Sequence, residues 1–234
     1  MKVNPDKFQC IVFGNVETVG TFEINGNNII PEEHVKLLGM CIDKKLNFNE
    51  HVSGICSKAG RQINVLVRLS RTLNRQNKLL LYNSFVDCYF NNCCVIWHSC
   101  SKSNSLKIEK IQEKAIRFIT LDFSSSYCHL LKLCKKSPLY ITRLRKMQEL
   151  AYKILNGICP TYLSPLIVKK VNVRQLRNDN NIYVPKFRTK TYGQNSFSYQ
   201  VSQLWNGLNS ATKNAKSITS FKRKIKEWEP ICKC

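Results

Sequence analysis

Asn49-Glu-His-Val52-Ser-Gly-Ile55-Cys-Ser-Lys58-Ala59-Gly-Arg61-Gln-Ile63-Asn-Val-Leu66-Val-Arg68-Leu69 is the stretch on which the fold turns. Val52, Ile55, Ala59, Ile63, Leu66 and Leu69 recur at spacings of three and four, the period that lines them up on one face of an α-helix. Lys58, Arg61 and Arg68, with Arg71 just beyond, fall mostly off that stripe. The spacing predicts a helix with one apolar face and a cationic flank.

Before this helix the pattern is β. Phe8-Gln-Cys-Ile-Val-Phe13 stops at Gly14, Thr21-Phe-Glu-Ile24 meets Asn25-Gly26-Asn27-Asn28, and Val35 to Ile42 runs into Asp43-Lys44-Lys45. Apolar runs bounded by turn residues predict three or four strands in one small antiparallel sheet. A sheet of that size cannot bury both faces by itself and needs something to pack on.

Beyond Leu69 helical spacing returns. A second helix is predicted from Asn74 through Leu79, Leu80, Tyr82, Phe85 and Val86, continuing towards a buried Trp97. A third runs from Ser105 to Thr120, with Ile108, Ile111, Ala115, Phe118 and Ile119 in register. Pro138 opens a long helix whose Leu144, Met147, Ala151, Ile154 and Leu155 keep the period until Gly157. Between Lys169 and Lys190 seven basic residues stand against one acid, Asp179, a composition that predicts an exposed basic arm. The sets Phe197/Val201/Leu204/Trp205 and Ile218/Phe221/Ile225/Trp228 predict two short closing helices. The fold class is therefore α+β, mainly α: a small antiparallel sheet, a helical bundle and C-terminal helices. The segments are 1–48, 49–160, the arm 161–195, and 196–234.

Charge sets the partner. The chain has 37 Lys+Arg against 15 Asp+Glu, a net charge of +22 over 234 residues, which repels itself unless a polyanion or an acidic neighbour compensates. Nucleic acid is the first class to test; a merely soluble basic domain, or one that sits on an anionic membrane surface, is the alternative. No apolar run approaches the roughly 20 residues needed to cross a bilayer, so no spanning segment is expected. Met1 to Cys10 has no apolar signal core and carries Lys2, Asp6 and Lys7. Twelve cysteines in that setting read as reduced thiols without a disulfide partner, in an intracellular protein of the nucleus and cytoplasm.

Catalytic chemistry is hard to place. Two-metal phosphoryl transfer needs clustered carboxylates around Mg²⁺, yet Asp6, Asp43, Asp87, Asp122 and Asp179 stand apart and Glu32-Glu33 has no nearby carboxylate partner. No catalytic residue and no cofactor is assigned to the chain. Cys88, Cys93, Cys94, His98 and Cys100, or Cys232-Lys-Cys234, invite a zinc reading. Neither set has two Cys pairs at finger spacing, and Tyr89, Phe90, Val95 and Trp97 interleave the first, which favours buried thiols and leaves metal open. There is no Gly-x-Ser-x-Gly and no phosphate loop, and His34, His51, His98 and His129 have no nucleophile motif around them.

Several stretches, in order, carry a resemblance. Asn4-Pro5-Asp6-Lys7-Phe8-Gln9-Cys-Ile-Val-Phe13-Gly14 resembles the segment after the Tyr/Phe-x-Asp-Asp hairpin of LINE-type (non-LTR) retrotransposon reverse transcriptases. Leu37-Leu38-Gly39-Met-Cys-Ile42-Asp43-Lys-Lys-Leu46-Asn-Phe48-Asn-Glu-His51 resembles their primer-grip strands and the entry into the thumb. Ile111-Gln112-Glu-Lys-Ala115-Ile-Arg117, Ser125-Ser-Tyr127, Thr189-Lys-Thr-Tyr192-Gly-Gln-Asn-Ser196-Phe197 and Leu204-Trp205-Asn206 resemble the thumb and C-terminal extension of jockey-like elements. One departure is Leu37, where the family often has an aromatic residue.

The resemblance implies a palm remnant with primer-grip strands over 1–48, a thumb over 49–160 and an RNA-directed DNA polymerase that is inactive as this chain alone. It implies that Lys7 lies near the triphosphate of the incoming nucleotide, where a cation stabilises charge on the leaving pyrophosphate. It also places Leu38 and Gly39 in the primer-grip turn. Met1 becomes an internal methionine, and the fingers, most of the palm and the Mg²⁺ site are expected in the full-length enzyme only. Independently of the resemblance, a helix with an Arg/Lys flank suits a duplex backbone. Lys58, Arg61, Arg68, Arg71 and Arg75 are the candidates there. Arg174, Arg177, Lys186, Arg188 and Lys190 in the arm are candidates for tracking RNA or target DNA.

Overall fold

In the computed structural model the described residues are 4, 7–14, 20–24, 26–69, 71–170 and 180–228. They form a mainly helical α+β protein that divides into two compact units. One holds Met1–Cys93 and Cys100–Leu130, the other Cys94–Ser99 and Leu131–Cys234.

The first unit opens with two separate hairpins in place of the one sheet expected. Strand β1 (Phe22–Ile24) pairs antiparallel with β2 (Asn27–Ile29), and β3 (His34–Leu37) pairs with β4 (Met40–Asp43). The predicted strand Val35 to Ile42 is thus bent in two at Leu38-Gly39. Residues 8–13 are not a strand. They run beside the second hairpin as irregular chain, with the Glu32 N–H donating to the Cys10 carbonyl at 2.8 Å and the Lys36 N–H to Gln9 Oε1 at 3.1 Å.

Asp43 ends β4 and sets the approach to the first helix. Its carboxylate accepts the backbone N–H groups of Lys45 (3.1 Å), Asn47 (2.9 Å) and Phe48 (2.6 Å), three charge-assisted bonds of the stronger kind. They hold Leu46 and Phe48 at positive φ, 53° and 56°, a conformation that side chains with a Cβ adopt at a cost. Helix α1 (Asn49–Arg68) follows, burying His51, Val52, Ile55, Ala59, Ile63 and Leu66. His51 Nδ1 accepts the Cys41 N–H at 3.3 Å and so links α1 to β4.

Helix α2 (Arg75–Phe85) is capped by the Asn74 side chain, which accepts the Asn77 N–H. It does not continue to Trp97 as the apolar pattern predicts. The chain breaks at Val86, makes the short α3 (Asp87–Asn91), and is turned by Cys93 at φ 48°. Helix α4 (Lys102–Thr120) begins three residues before the predicted Ser105, because Ser101 caps it by accepting the Asn104 N–H. It packs on α1 and α2, and Asn104 Nδ2 donates to Asn49 Oδ1 at 2.6 Å. Helix α5 (Tyr127–Leu133) comes next in the chain.

The second unit is built on α6 (Leu139–Leu155), which packs against α7 (Phe197–Asn206) and α9 (Ile218–Lys226), with the one-turn α8 (Ser210–Lys213) between those two. Gly157 at φ 66° ends α6: its N–H reaches the Ile154 carbonyl while the Ile158 N–H reaches that of Lys153, the paired bonds of a Schellman stop. The core joins Met147, Ala151, Tyr152, Val201, Trp205, Phe221 and Ile225. The Phe221 ring stacks on Tyr152 at 4.6 Å and on Trp205 at 5.9 Å.

Part of the stretch predicted as a basic arm is anchored to this core. Ile182 is buried, and the Asn206 side chain accepts its N–H and donates to its carbonyl, both at 2.9 Å. Lys169 and Ile182 bridge antiparallel, and Trp205 Nε1 donates to the Asn180 carbonyl at 2.9 Å. Among the described residues no helix is long and apolar enough to cross a membrane.

Within the same unit a 3-10 turn, Trp97–Ser99, lies against α6. The Arg143 guanidinium sits over the Trp97 ring at 5.1 Å, and His98 stacks on Tyr140 at 5.4 Å. Burial, with the Arg143 charge second, holds the His98 imidazole down at about 4. A histidine depressed below its unfolded value of about 6.5 stabilises the fold fully above that pH and loses the contribution as pH falls towards 4. Urea denaturation is therefore expected to show stability falling by up to about 3 kcal/mol between pH 6.5 and 4 from this group. The loss should be reduced by that amount in His98→Phe; an identical pH profile in the variant would contradict it.

Candidate nucleic-acid interface

The structure brings one group of predicted residues onto the first unit. Lys58, Arg61 and Arg68 are exposed on α1. At 100° per residue they fall within about 80° of one another on the helix, away from the buried stripe, and span about 15 Å along its axis. Arg71 is exposed in the turn after α1, and Arg75 is exposed at the first position of α2. That first turn contains no acidic residue, so Arg75 meets the positive end of the helix dipole, which disfavours a cation.

The hairpin β3–β4 supplies a different element. Its two-residue turn is Leu38-Gly39, with φ 48° and 81°, the doubly left-handed geometry of a type I′ turn. Glycine takes this geometry freely, whereas leucine does not. Leu38 is nonetheless 88 % exposed, and Leu37 beside it 58 %. An apolar side chain held in strain at a hairpin tip, with no core to enter, is available to a partner. Lys7 is exposed two residues before Gln9, whose side chain bonds β3.

In the second unit Lys186 and Arg188 are exposed on either side of Phe187, whose ring meets Tyr199 edge-on at 4.8 Å. Arg174 and Arg177 lie outside the described residues, as does the side chain of Lys190. A cavity of about 300 Å³ in this unit is lined in part by Lys169, Asn180, Trp205 and Lys213. The Lys213 ammonium donates to Asn181 Oδ1 (2.8 Å) and the Asn206 carbonyl (3.1 Å), and burial lowers its pKa. It serves the clasp around Ile182. Sequence reading passed over the lysines of α4, Lys107, Lys110 and Lys114, which are exposed as well.

Among the described residues no three His, Cys, Asp or Glu side chains group so as to hold a metal ion; Cys232 and Cys234 lie outside them. Several carboxylates are already engaged: Asp43 with the turn, Glu33 with Lys44 at 2.6 Å, Glu113 with Arg117 at 2.7 Å, Glu149 with Lys146 and Lys222. The described residues therefore do not fit a Mg²⁺ site, and no metal-dependent step is assigned to them. The described cysteines are free thiols. Burial pushes the Cys41 thiol up and that of Cys56 up to about 11, which keeps both protonated at neutral pH.

A comparison with curated proteins finds similarity to a Drosophila melanogaster protein described as "Probable RNA-directed DNA polymerase from transposon BS". The two are 28 % identical over 126 residues, covering 51 % of this chain and 14 % of that protein. No family model and no solved structure matches.

Leu38 offers a direct check on the hairpin. Leu38→Asn creates the Asn-Gly pair that type I′ turns favour and is expected to raise stability by about 0.5–1 kcal/mol, read by thermal denaturation. A variant less stable than the parent would show that Leu38 contributes packing instead.

Proposed function

We propose that this chain is the end of the palm, the thumb and the C-terminal extension of a LINE-type, jockey-like reverse transcriptase, and that it holds template–primer through its basic residues. The observation that carries it is the order within the first unit: an exposed, left-handed Leu38-Gly39 tip, then Asp43 fixing the entry to a helix with a cationic outer face. The similarity to a transposon polymerase over half of the chain supports the same reading.

In this account Leu38 and the backbone at Gly39 bear on the primer strand, and Lys7 faces the triphosphate. Lys58, Arg61, Arg68, Arg71 and Arg75 rest on the duplex backbone, while Lys186 and Arg188, with Arg174, Arg177 and Lys190, track RNA or target DNA. Phosphoryl transfer itself belongs to carboxylates of a palm segment outside this sequence. Phe22, Ile24, Ile30 and Leu37, all exposed, are the apolar surface that such a segment would cover. Its site of action is wherever the element's RNA is copied, in the nucleus or cytoplasm.

The engaged carboxylates favour a second reading in one respect: by itself the chain acts as a non-catalytic basic module from a decayed element. Primer extension by the purified chain on an RNA template with Mg²⁺ is expected to give no product under either reading. Synthesis that persists after contaminating polymerases are excluded would overturn that expectation.

Salt dependence tests the grip. Six phosphate contacts on duplex DNA give a slope of log K against log salt near −5, about −0.9 per contact. Alanine at Lys58, Arg61 and Arg68 together is expected to bring the slope up by about 2.7. A flat salt titration of the parent chain would remove the binding model altogether.

A further inference from the structure

Helix α4 has a second cationic face. Lys107, Lys110 and Lys114 are exposed and fall within about 60° of one another on the helix, over roughly 10 Å of its length. Phe118 continues the same side one turn later. The buried residues Ile108, Ala115 and Ile119 lie on another sector.

The stripe ends at an aromatic pair. Phe123, 58 % exposed, meets Phe118 edge-on at 5.2 Å and 79°. In an edge-on contact one ring offers its edge to the other's face, and with 58 % of its surface exposed the Phe123 ring remains open to solvent. An open groove of about 380 Å³ is lined by Lys110, Glu113, Lys114, Arg117, Phe118 and Phe123. It carries three cations against one carboxylate, and that carboxylate is paired with Arg117.

The loop that bears Phe123 is fixed in place. Leu121 turns the chain at φ 57°. Asp122 Oδ1 then accepts the N–H groups of Ser124 (3.0 Å) and Ser125 (2.9 Å), and Arg117 Nη1 donates to the Ser125 carbonyl at 3.0 Å. The ring is thus presented to solvent on a preorganised turn, which lowers the ordering cost of using it.

Exposed apolar rings without charge would suit a protein partner. Here three lysines lead up to the ring, and nothing acidic in the groove is unpaired. From this we infer that the α4 face binds single-stranded nucleic acid, with a base stacked on Phe123 and the strand's phosphates on Lys110 and Lys114. Stacking on an aromatic platform beside a basic track is the chemistry by which single strands are held without sequence preference. The inference rests on the nucleic-acid reading above and extends it to a second, single-strand site.

The test uses the full chain with two fluorescent probes, a 20-nucleotide oligouridylate RNA and a duplex DNA of the same length, read by anisotropy across a salt series. Phe123→Ala is expected to weaken the RNA complex roughly tenfold and the duplex complex less than twofold. Phe123→Trp is expected to restore RNA binding. The pair Lys110→Gln and Lys114→Gln is expected to reduce the RNA salt slope by about 1.4, at about 0.7 per phosphate on single strands. If the parent binds both probes but Phe123→Ala stays within twofold on RNA, the α4 site is overturned while the general reading stands. If the parent binds neither probe, both fall. Matching thermal melts show that Phe123→Ala leaves the fold intact, as its exposure leads one to expect.

Discussion

Uncompensated positive charge is the constraint under which this structure is built. With 37 basic residues and 15 acidic ones, most cations have no carboxylate to meet. Two ammonium groups about 6 Å apart in water repel by about 0.7 kcal/mol, which favours lysines and arginines that are solvated and spread, although Lys78 and Arg143 are buried. Some acids meet cations directly, Glu33 with Lys44, Glu113 with Arg117 and Glu149 with Lys146 and Lys222, while others serve the backbone or a hydroxyl. Asp43 and Asp122 bind backbone N–H groups, and Glu109 accepts from the Tyr127 hydroxyl. Negative charge here fixes local geometry, and the outer surface is left electropositive.

That use of carboxylates explains how the chain sustains left-handed backbone at bulky residues. The Asp43 carboxylate accepts the N–H groups of Lys45, Asn47 and Phe48 around Leu46, and Leu121 immediately precedes Asp122. At each place the aspartate offsets a conformation that would otherwise cost about 1–2 kcal/mol per residue. At Asp122 the hydroxyl and N–H of Ser125 hold the carboxyl down at about 2, so the turn keeps its charged form across the physiological range. Leu38, Cys93 and Lys135 are left-handed without such an aspartate; of the three, Leu38 is the large apolar side chain left almost fully exposed.

The helices were legible where one periodic stripe met a recognisable cap. The apolar spacing around Val52 and Ile63 located α1, and Gly157 located the end of α6, since each rests on interactions within a few residues. Misreadings came where distant or unlikely residues decide. Leu-Gly is a poor turn signal, so the bend at Leu38 was hidden inside a single predicted strand. Phe8 to Phe13 has the composition of a strand, but it meets the second hairpin and the residue Glu32 ahead of it through one isolated hydrogen bond each and no ladder. Ile182, in a basic and Asn-rich stretch, is buried because Asn206, 24 residues later, pairs with its backbone, and no local pattern reports that.

Site residues divide in the same way. Cations on α1 could be chosen from sequence because the apolar stripe says which side faces water. Those on α4 were equally deducible, but Phe118 was counted with the apolar face, and that assignment hid the lysines leading up to it. What spacing could not give is the edge-on contact with Phe123, which depends on how Asp122 and Arg117 fold the loop back. Charge alone is sequence-blind and strand-blind: a lysine neutralises a phosphate on duplex or single strand alike. Discrimination between them must come from a ring that an unpaired base can reach and a paired base cannot. On the first unit an exposed ring beside the lysines is Phe123, and the proposed preference for single strands rests on that ring and not on the surplus of charge.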